Sequence, residues 1–217
     1  MFIDFEQLDA ASAYKLIAGT VVPRPIALVT TRNPDGGTNA GPYSFFNAFS
    51  EDPPLVVLGL GSRPDDTMKD STVNIRRTGE FVVNMVDESI LPAMVDCACD
   101  LPPGESEIPY TGLTLEKSSK IDVDRIVEAP VSFACRKVTV LQFGRGRDLA
   151  VGEILGLCAR PGIIDPDTLR VDPEAYRPVG RLYGTRYARL GETISLPVPE
   201  PKELRSKSAH EQKDKTR

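Results

Sequence analysis

Short apolar, β-branched runs separated by clusters of turn residues dominate the chain, and the elements this pattern predicts are mostly strands. Ile26 to Thr31 is such a run. Pro23 and Pro25 precede it and Asn33-Pro34-Asp35-Gly36-Gly37 follows, which predicts strand–turn–strand. Thr38 to Phe49 mixes small residues with three Phe and a Tyr before Pro53-Pro54 breaks the chain, and Leu55 to Leu60 reads as a buried strand. From Asp66 to Arg77, Met68, Val73 and Ile75 recur among charged residues ahead of Gly79, predicting a short helix with a glycine C-cap. Phe81 to Val86 is another strand and Glu88 to Ala98 a second helix. Asp100 to Ser119, rich in Pro, Gly and Glu, reads as a long loop carrying a short segment. Pro130 to Gln142 and Ala150 to Ala159 are strands, with Gly144 to Asp148 as the turn between them. Asp165 to Arg181 is polar and punctuated by Pro, and Pro197 to Arg217 reads as an extended or disordered, charged tail.

Six or so strands in adjacent pairs, joined by Gly-rich turns and accompanied by two or three short helices, point to an antiparallel barrel rather than alternating βαβ units. The 217 residues suit one domain over 1–196 and a tail over 197–217. At 41% hydrophobic and 26% charged residues, the composition is that of an ordinary soluble domain.

Charge narrows the function. A net charge of −5 makes a poor nucleic-acid clamp, since phosphate neutralisation needs clustered Lys and Arg. No apolar run is long enough to span a membrane, and Met1 to Asp9 carries no secretory signature, so the cytoplasm is the expected location. The single histidine, His210, sits in the polar tail. Ser-His-Asp hydrolysis, Cys-His proteolysis and His-ligated zinc therefore lack their central residue. Cys97, Cys99, Cys135 and Cys158 form no CxxC pair and are expected to be reduced and mostly buried.

Several motifs fail. Gly59-Leu60-Gly61-Ser62-Arg63-Pro64 and Gly144-Arg145-Gly146-Arg147-Asp148-Leu149 begin like dinucleotide fingerprints but lack the last glycine, and neither a P-loop nor a GxSxG elbow occurs. Two segments carry more. Pro23 to Ile26 with Asn39 to Asn47 interleaves small, polar and aromatic residues, suited either to the edge and faces of a flat heterocycle or to a barrel strand with an aromatic core. Ser62 to Asn74 places hydroxyls, Arg63 and Lys69 at a helix start, suited to a phosphate or to ordinary capping by Asp65 or Asp66.

Together these segments resemble the flavin reductase-like family with the FMN-binding split-barrel fold. The resemblance rests on Pro23-Arg24-Pro25-Ile26-Ala27-Leu28-Val29-Thr30-Thr31, on Asn39 to Asn47, on Asp52 to Val56 and on Lys69 to Ser71. Gly79 to Asn84, Val151 to Ile154 and Arg181 to Tyr187 extend it, in order, over about residues 10–197. It implies a mainly β, six-stranded antiparallel split barrel with short helical insertions. It implies FMN as cofactor, with FAD as the other candidate, and NADH or NADPH as reductant. Tyr43, Ser44, Phe45, Phe46 and Asn47 would line the isoalloxazine, with Thr30, Thr31 and Arg24 near it. Ser62, Arg63, Lys69, Ser71 and Thr72 would hold the phosphate. It further implies a homodimer with flavin at the interface, which Tyr187 or Tyr183 would approach, and a monooxygenase as acceptor of reduced flavin. The expected activity is hydride transfer from NAD(P)H to flavin; a flavin-binding electron carrier or store is the alternative. Where relatives carry a His after the Val-Gly-Glu strand, this chain has Leu157-Cys158. The chemistry tolerates that loss, because ring stacking and a dry pocket do not require an imidazole.

Overall fold

A computed structural model describes residues 1–63, 65–144 and 146–205. Its centre is a seven-stranded antiparallel sheet in the order β2-β1-β5-β8-β9-β4-β3. The strands are β1 (Ala27–Arg32), β2 (Thr38–Tyr43), β3 (Phe46–Glu51), β4 (Pro54–Gly61), β5 (Glu80–Met85), β8 (Val131–Gln142) and β9 (Arg147–Ala159). The two edges of this sheet, β2 and β3, are consecutive in the chain and joined only by Ser44 and Phe45. Two residues span too little distance to connect the edges of a flat sheet, so the sheet curls until its edges meet, giving a barrel with an unpaired seam. The Gly59 N–H donates to the Phe45 carbonyl at 2.6 Å and ties the seam to β4. A Cβ on Gly59 would lie 2.9 Å from that of Phe45, so only glycine permits this approach.

Smaller elements decorate the barrel: α1 (Ala10–Thr20), α2 (Asp70–Thr78), α3 (Leu91–Asp96), and the ribbons β6 (Leu115–Lys117) with β7 (Asp124–Ile126) and β10 (Val179–Arg181) with β11 (Tyr187–Arg189). The expected helix after Asp66 starts later, because Met68 bridges back to Ser62 and Asp66 has φ +64. Its C-cap is as expected: Gly79, at φ +74, donates its N–H to the Ile75 carbonyl. Seven main-sheet strands replace the expected six, since the mixed stretch 38–49 divides into β2 and β3 at the seam. The α1 helix was not foreseen; it buries only Ala18, so no apolar stripe announces it. Among the described residues, 201–205 are helical and no helix is long and apolar enough to cross a membrane. His210 and residues 206–217 of the expected tail lie outside the described residues.

Alternation along β1 builds two cores. Ala27 and Val29 face the barrel interior with Leu58, Phe81, Val83 and Ala150, whereas Ile26 and Leu28 face a second core with Val86, Met94, Ile126 and Val179. Gly152 belongs to the first: a Cβ there would lie 2.3 Å from the Phe81 ring.

Candidate functional site

The start of α2 meets β2 beside the seam. Asn39 Nδ2 donates to Ser71 Oγ at 2.9 Å, and Ser71 also hydrogen-bonds the Tyr43 hydroxyl, whose pKa burial pushes up to about 12. The two segments singled out in the sequence are therefore in direct contact. They wall a cleft with Arg63, Lys69 and Asp70 on one side, and the segment 97–107 covers it.

Lys69 occupies the N-cap position of α2 without a side-chain cap, so the first intrahelical bond is Val73 N–H to the Lys69 carbonyl. The first turn of α2 thus has no capping side chain for its N–H groups. Arg63 is only 11% exposed at its side chain. It donates to Asp100 Oδ1 (2.7 Å), the Leu101 carbonyl (2.9 Å) and Asp70 Oδ2 (3.1 Å), yet its Nε is buried with no acceptor. Thr72 Oγ1, on the other flank of the same helix start with Ser62, is likewise buried and unpartnered. Lys69 makes no ion pair among the described residues.

The resemblance marks the acidic, Pro-rich 100–110 stretch as one where relatives vary in placing a helix over the site; what sequence reasoning missed is how it is held there. The Gly104 N–H donates to Asp70 Oδ2 (3.1 Å), Asn33 Nδ2 to the Gly104 carbonyl (3.2 Å), and the Ala40 N–H to Glu107 Oε2 (2.9 Å). Burial holds the Glu107 carboxyl above its ordinary pKa. The acidic character of 100–107 was legible in the sequence, but its pairing with Arg63, 37 residues away, was not.

The nominated residues fall into groups. Tyr43, Arg63, Lys69 and Ser71 share the cleft, with Ser62 and Thr72 behind the helix start. Ser44, Phe45, Phe46 and Asn47 form the seam. Phe46 points into the barrel core, Phe45 is half-exposed against Tyr14 (centroids 6.2 Å), and Asn47 is exposed with its side-chain carbonyl accepting from Ala48 N–H. Arg24 is buried and donates to Ser44 Oγ and to the carbonyls of Ala18, Val21 and Leu182. Thr30 and Thr31 are both at 0% exposure on opposite faces of β1. The Thr30 hydroxyl bonds the Asp124 carbonyl and the Asn84 amide, whereas the Thr31 hydroxyl accepts from Asn74. Tyr187 packs on the second core beneath the Arg181 guanidinium (4.6 Å), and Tyr183 is half-exposed under Arg186 (5.4 Å). All four cysteines are free; Cys97 and Cys135 are buried with thiols pushed up to about 12, while Cys99 and Cys158 are exposed. The expectation of mostly buried cysteines therefore holds for two of the four.

Residues 19–179 match the model of the flavin reductase like domain. The chain belongs to this family. Among solved structures, this flavin reductase-like chain is 40% identical to the 2-nitrobenzoate 2-nitroreductase NbaA of Pseudomonas fluorescens, with TM-score 0.85 over 92% of this chain and 96% of that one. It is 32% identical to component B of nitrilotriacetate monooxygenase from Bacillus cereus, with TM-score 0.86 over 90% and 98% of the two chains. A flavin reductase with a split barrel domain from Shewanella frigidimarina shares the fold at 22% identity, with TM-score 0.76 over 92% and 100%. The fold is thus the expected mainly β split barrel.

Proposed function

We propose that the chain is a flavin-binding oxidoreductase that takes FMN, with FAD as the other candidate, and uses NADH or NADPH to reduce it. One observation carries the reading: buried or unpaired donors converge on the start of α2. Among the described residues, Arg63 Nε and Thr72 Oγ1 lack partners, and Lys69 makes no ion pair at a helix N-terminus without a side-chain cap. Such a set fits a phosphate, which supplies acceptor oxygens and negative charge. Ser62, Arg63, Lys69, Ser71 and Thr72 would hold the phosphate, and Tyr43, Ser44, Phe45, Phe46 and Asn47 would line the ring, partly through backbone groups, the core-facing Phe46 among them. When bound, the flavin would supply hydride-accepting redox chemistry.

The residues around it bind, orient and exclude water. Arg24, Thr30 and Thr31, saturated by protein partners, act from behind by fixing the seam and β1. The segment 97–107 closes the cleft from solvent. Exposed Phe45 and Phe49, at 44% and 70%, suit a second copy of the chain, consistent with a homodimer holding flavin at its interface and receiving Tyr187 or Tyr183 from the partner. The kinship with a monooxygenase component B favours a monooxygenase as acceptor of reduced flavin. The higher identity to a nitroreductase brings in a second reading, direct delivery of electrons to a nitroarene.

Purified protein tests this directly. The expected result is a yellow protein releasing FMN, which oxidises NADH or NADPH when flavin is supplied. A colourless protein that fails to bind added FMN and FAD rejects the proposal. Flavin binding without nicotinamide oxidation identifies an electron carrier or store instead.

A further inference from the structure

The charges in the cleft do not favour a dianion as they stand. Arg63 and Lys69 contribute two positive charges, while Asp70, Asp100 and Glu107 contribute three negative ones when ionised. Asp70 and Asp100 are each paired with Arg63. Glu107 is different. It is 9% exposed, and among the described residues its carboxyl makes no ion pair and accepts across the cleft from the Ala40 N–H on β2.

The surrounding titratable groups offer Glu107 no relief. Tyr43 on β2 and Cys97 after α3 are neutral at physiological pH, both pushed up to about 12. Asp96, Asp100 and exposed Cys99 line the covering segment beside it, and Asp70 faces it from α2. On its own segment, Glu105 accepts from the Tyr110 hydroxyl at 2.8 Å. Among the described residues, Arg63 is the cation that acts to keep Glu107 ionised, and two carboxylates already share it. Burial raises the Glu107 pKa, in the direction that eases protonation.

We infer that Glu107 sets how much negative charge the cleft admits, taking up a proton from solvent when a phosphomonoester binds beside Arg63 and Lys69. This rests on the phosphate-binding role proposed above. The balance is simple: the Glu107 carboxylate and one solvent proton become the carboxylic acid, which still accepts the Ala40 N–H. Glu107 is thereby a specificity-determining residue, coupling flavin choice to pH. A flavin without phosphate makes no such demand.

Calorimetric titrations with FMN and with riboflavin, run at about pH 8 in buffers of different ionisation enthalpy, count the protons taken up. For the wild type, FMN should draw in up to about one proton and riboflavin none. Glu107→Gln keeps an acceptor for Ala40. It should abolish the uptake and tighten FMN by at least about fivefold, leaving riboflavin unchanged. The second ionisation of the phosphate, at about 6, is common to both proteins and cancels in the comparison. Absence of uptake in the wild type, or uptake unchanged in Glu107→Gln, overturns the inference while FMN binding stands. If neither flavin binds the wild type, the phosphate reading itself fails and takes this inference with it.

Discussion

Arg24 and Arg63 both border the stretch 39–47, and they use the same guanidinium in opposite ways. Arg24 is buried without a carboxylate and spends its donors on Ser44 and on three backbone carbonyls, from α1, its C-terminal end and the approach to β11. Desolvation by burial lowers its pKa. Arg63 is held by two aspartates and one carbonyl and keeps a buried Nε without an acceptor. The first arrangement is complete, so it serves the fold. The second is incomplete and its partners are exchangeable, so it is suited to receive a ligand anion.

Removing each arginine tests that contrast most severely. Arg24→Ala strands the carbonyls of Ala18, Val21 and Leu182, and should cost about 3 kcal/mol or more, since charged hydrogen bonds contribute roughly 1.5–3 kcal/mol each. Urea unfolding reads this, and FMN and riboflavin affinities should fall together. Gly152→Ala, which drives a methyl into the Phe81 ring, should destabilise by about 1–3 kcal/mol through overpacking and sets a scale for a purely structural lesion at a family motif. Arg63→Ala leaves the mostly buried Asp70 without its ion pair and the Leu101 carbonyl without its donor, and should also cost about 1–3 kcal/mol, but unlike Arg24→Ala it should weaken FMN by roughly tenfold to a hundredfold, without a matching change for riboflavin. Lys69→Ala should weaken FMN less, with an effect that fades in high salt, as expected of a partly exposed charge.

The smallest effect concerns Glu107. Its folded-state pKa is raised by burial. Its contribution to stability is therefore present below the ordinary glutamate value and is lost as pH rises through the raised one. Glu107→Gln should flatten that part of the pH–stability profile and be the more stable protein at neutral pH, as thermal melts across the range would show.

What the sequence made visible was local. Turn chemistry at 33–37, the apolar runs of β4 and β5, and the Gly79 cap each depend on a few neighbouring residues, and each stands where it was expected. The helix start at Lys69 was displaced because a backbone bridge that propensity does not announce, Ser62 to Met68, captured its first residues. At the site, motif matching located Tyr43, Arg63, Lys69 and Ser71 in one cleft, but it could not distinguish which side of β1 a threonine occupies. Alternation puts Thr30 on the face of Leu28 and Thr31 on that of Val29, and neighbouring elements then bury both. Glu107 and Asp100 escaped notice because their importance lies in partners on β2 and beside α2, contacts that no local pattern encodes.

The central claim is that cations and donors at the start of α2 hold a flavin phosphate. Parallel titration of FMN and riboflavin into the wild type and into the Arg63→Ala/Lys69→Ala double variant tests it most directly. The account predicts that the wild type prefers FMN by about a hundredfold and that the double variant binds both flavins alike. Equal affinities in the wild type, or a preference that survives the double substitution, would contradict it.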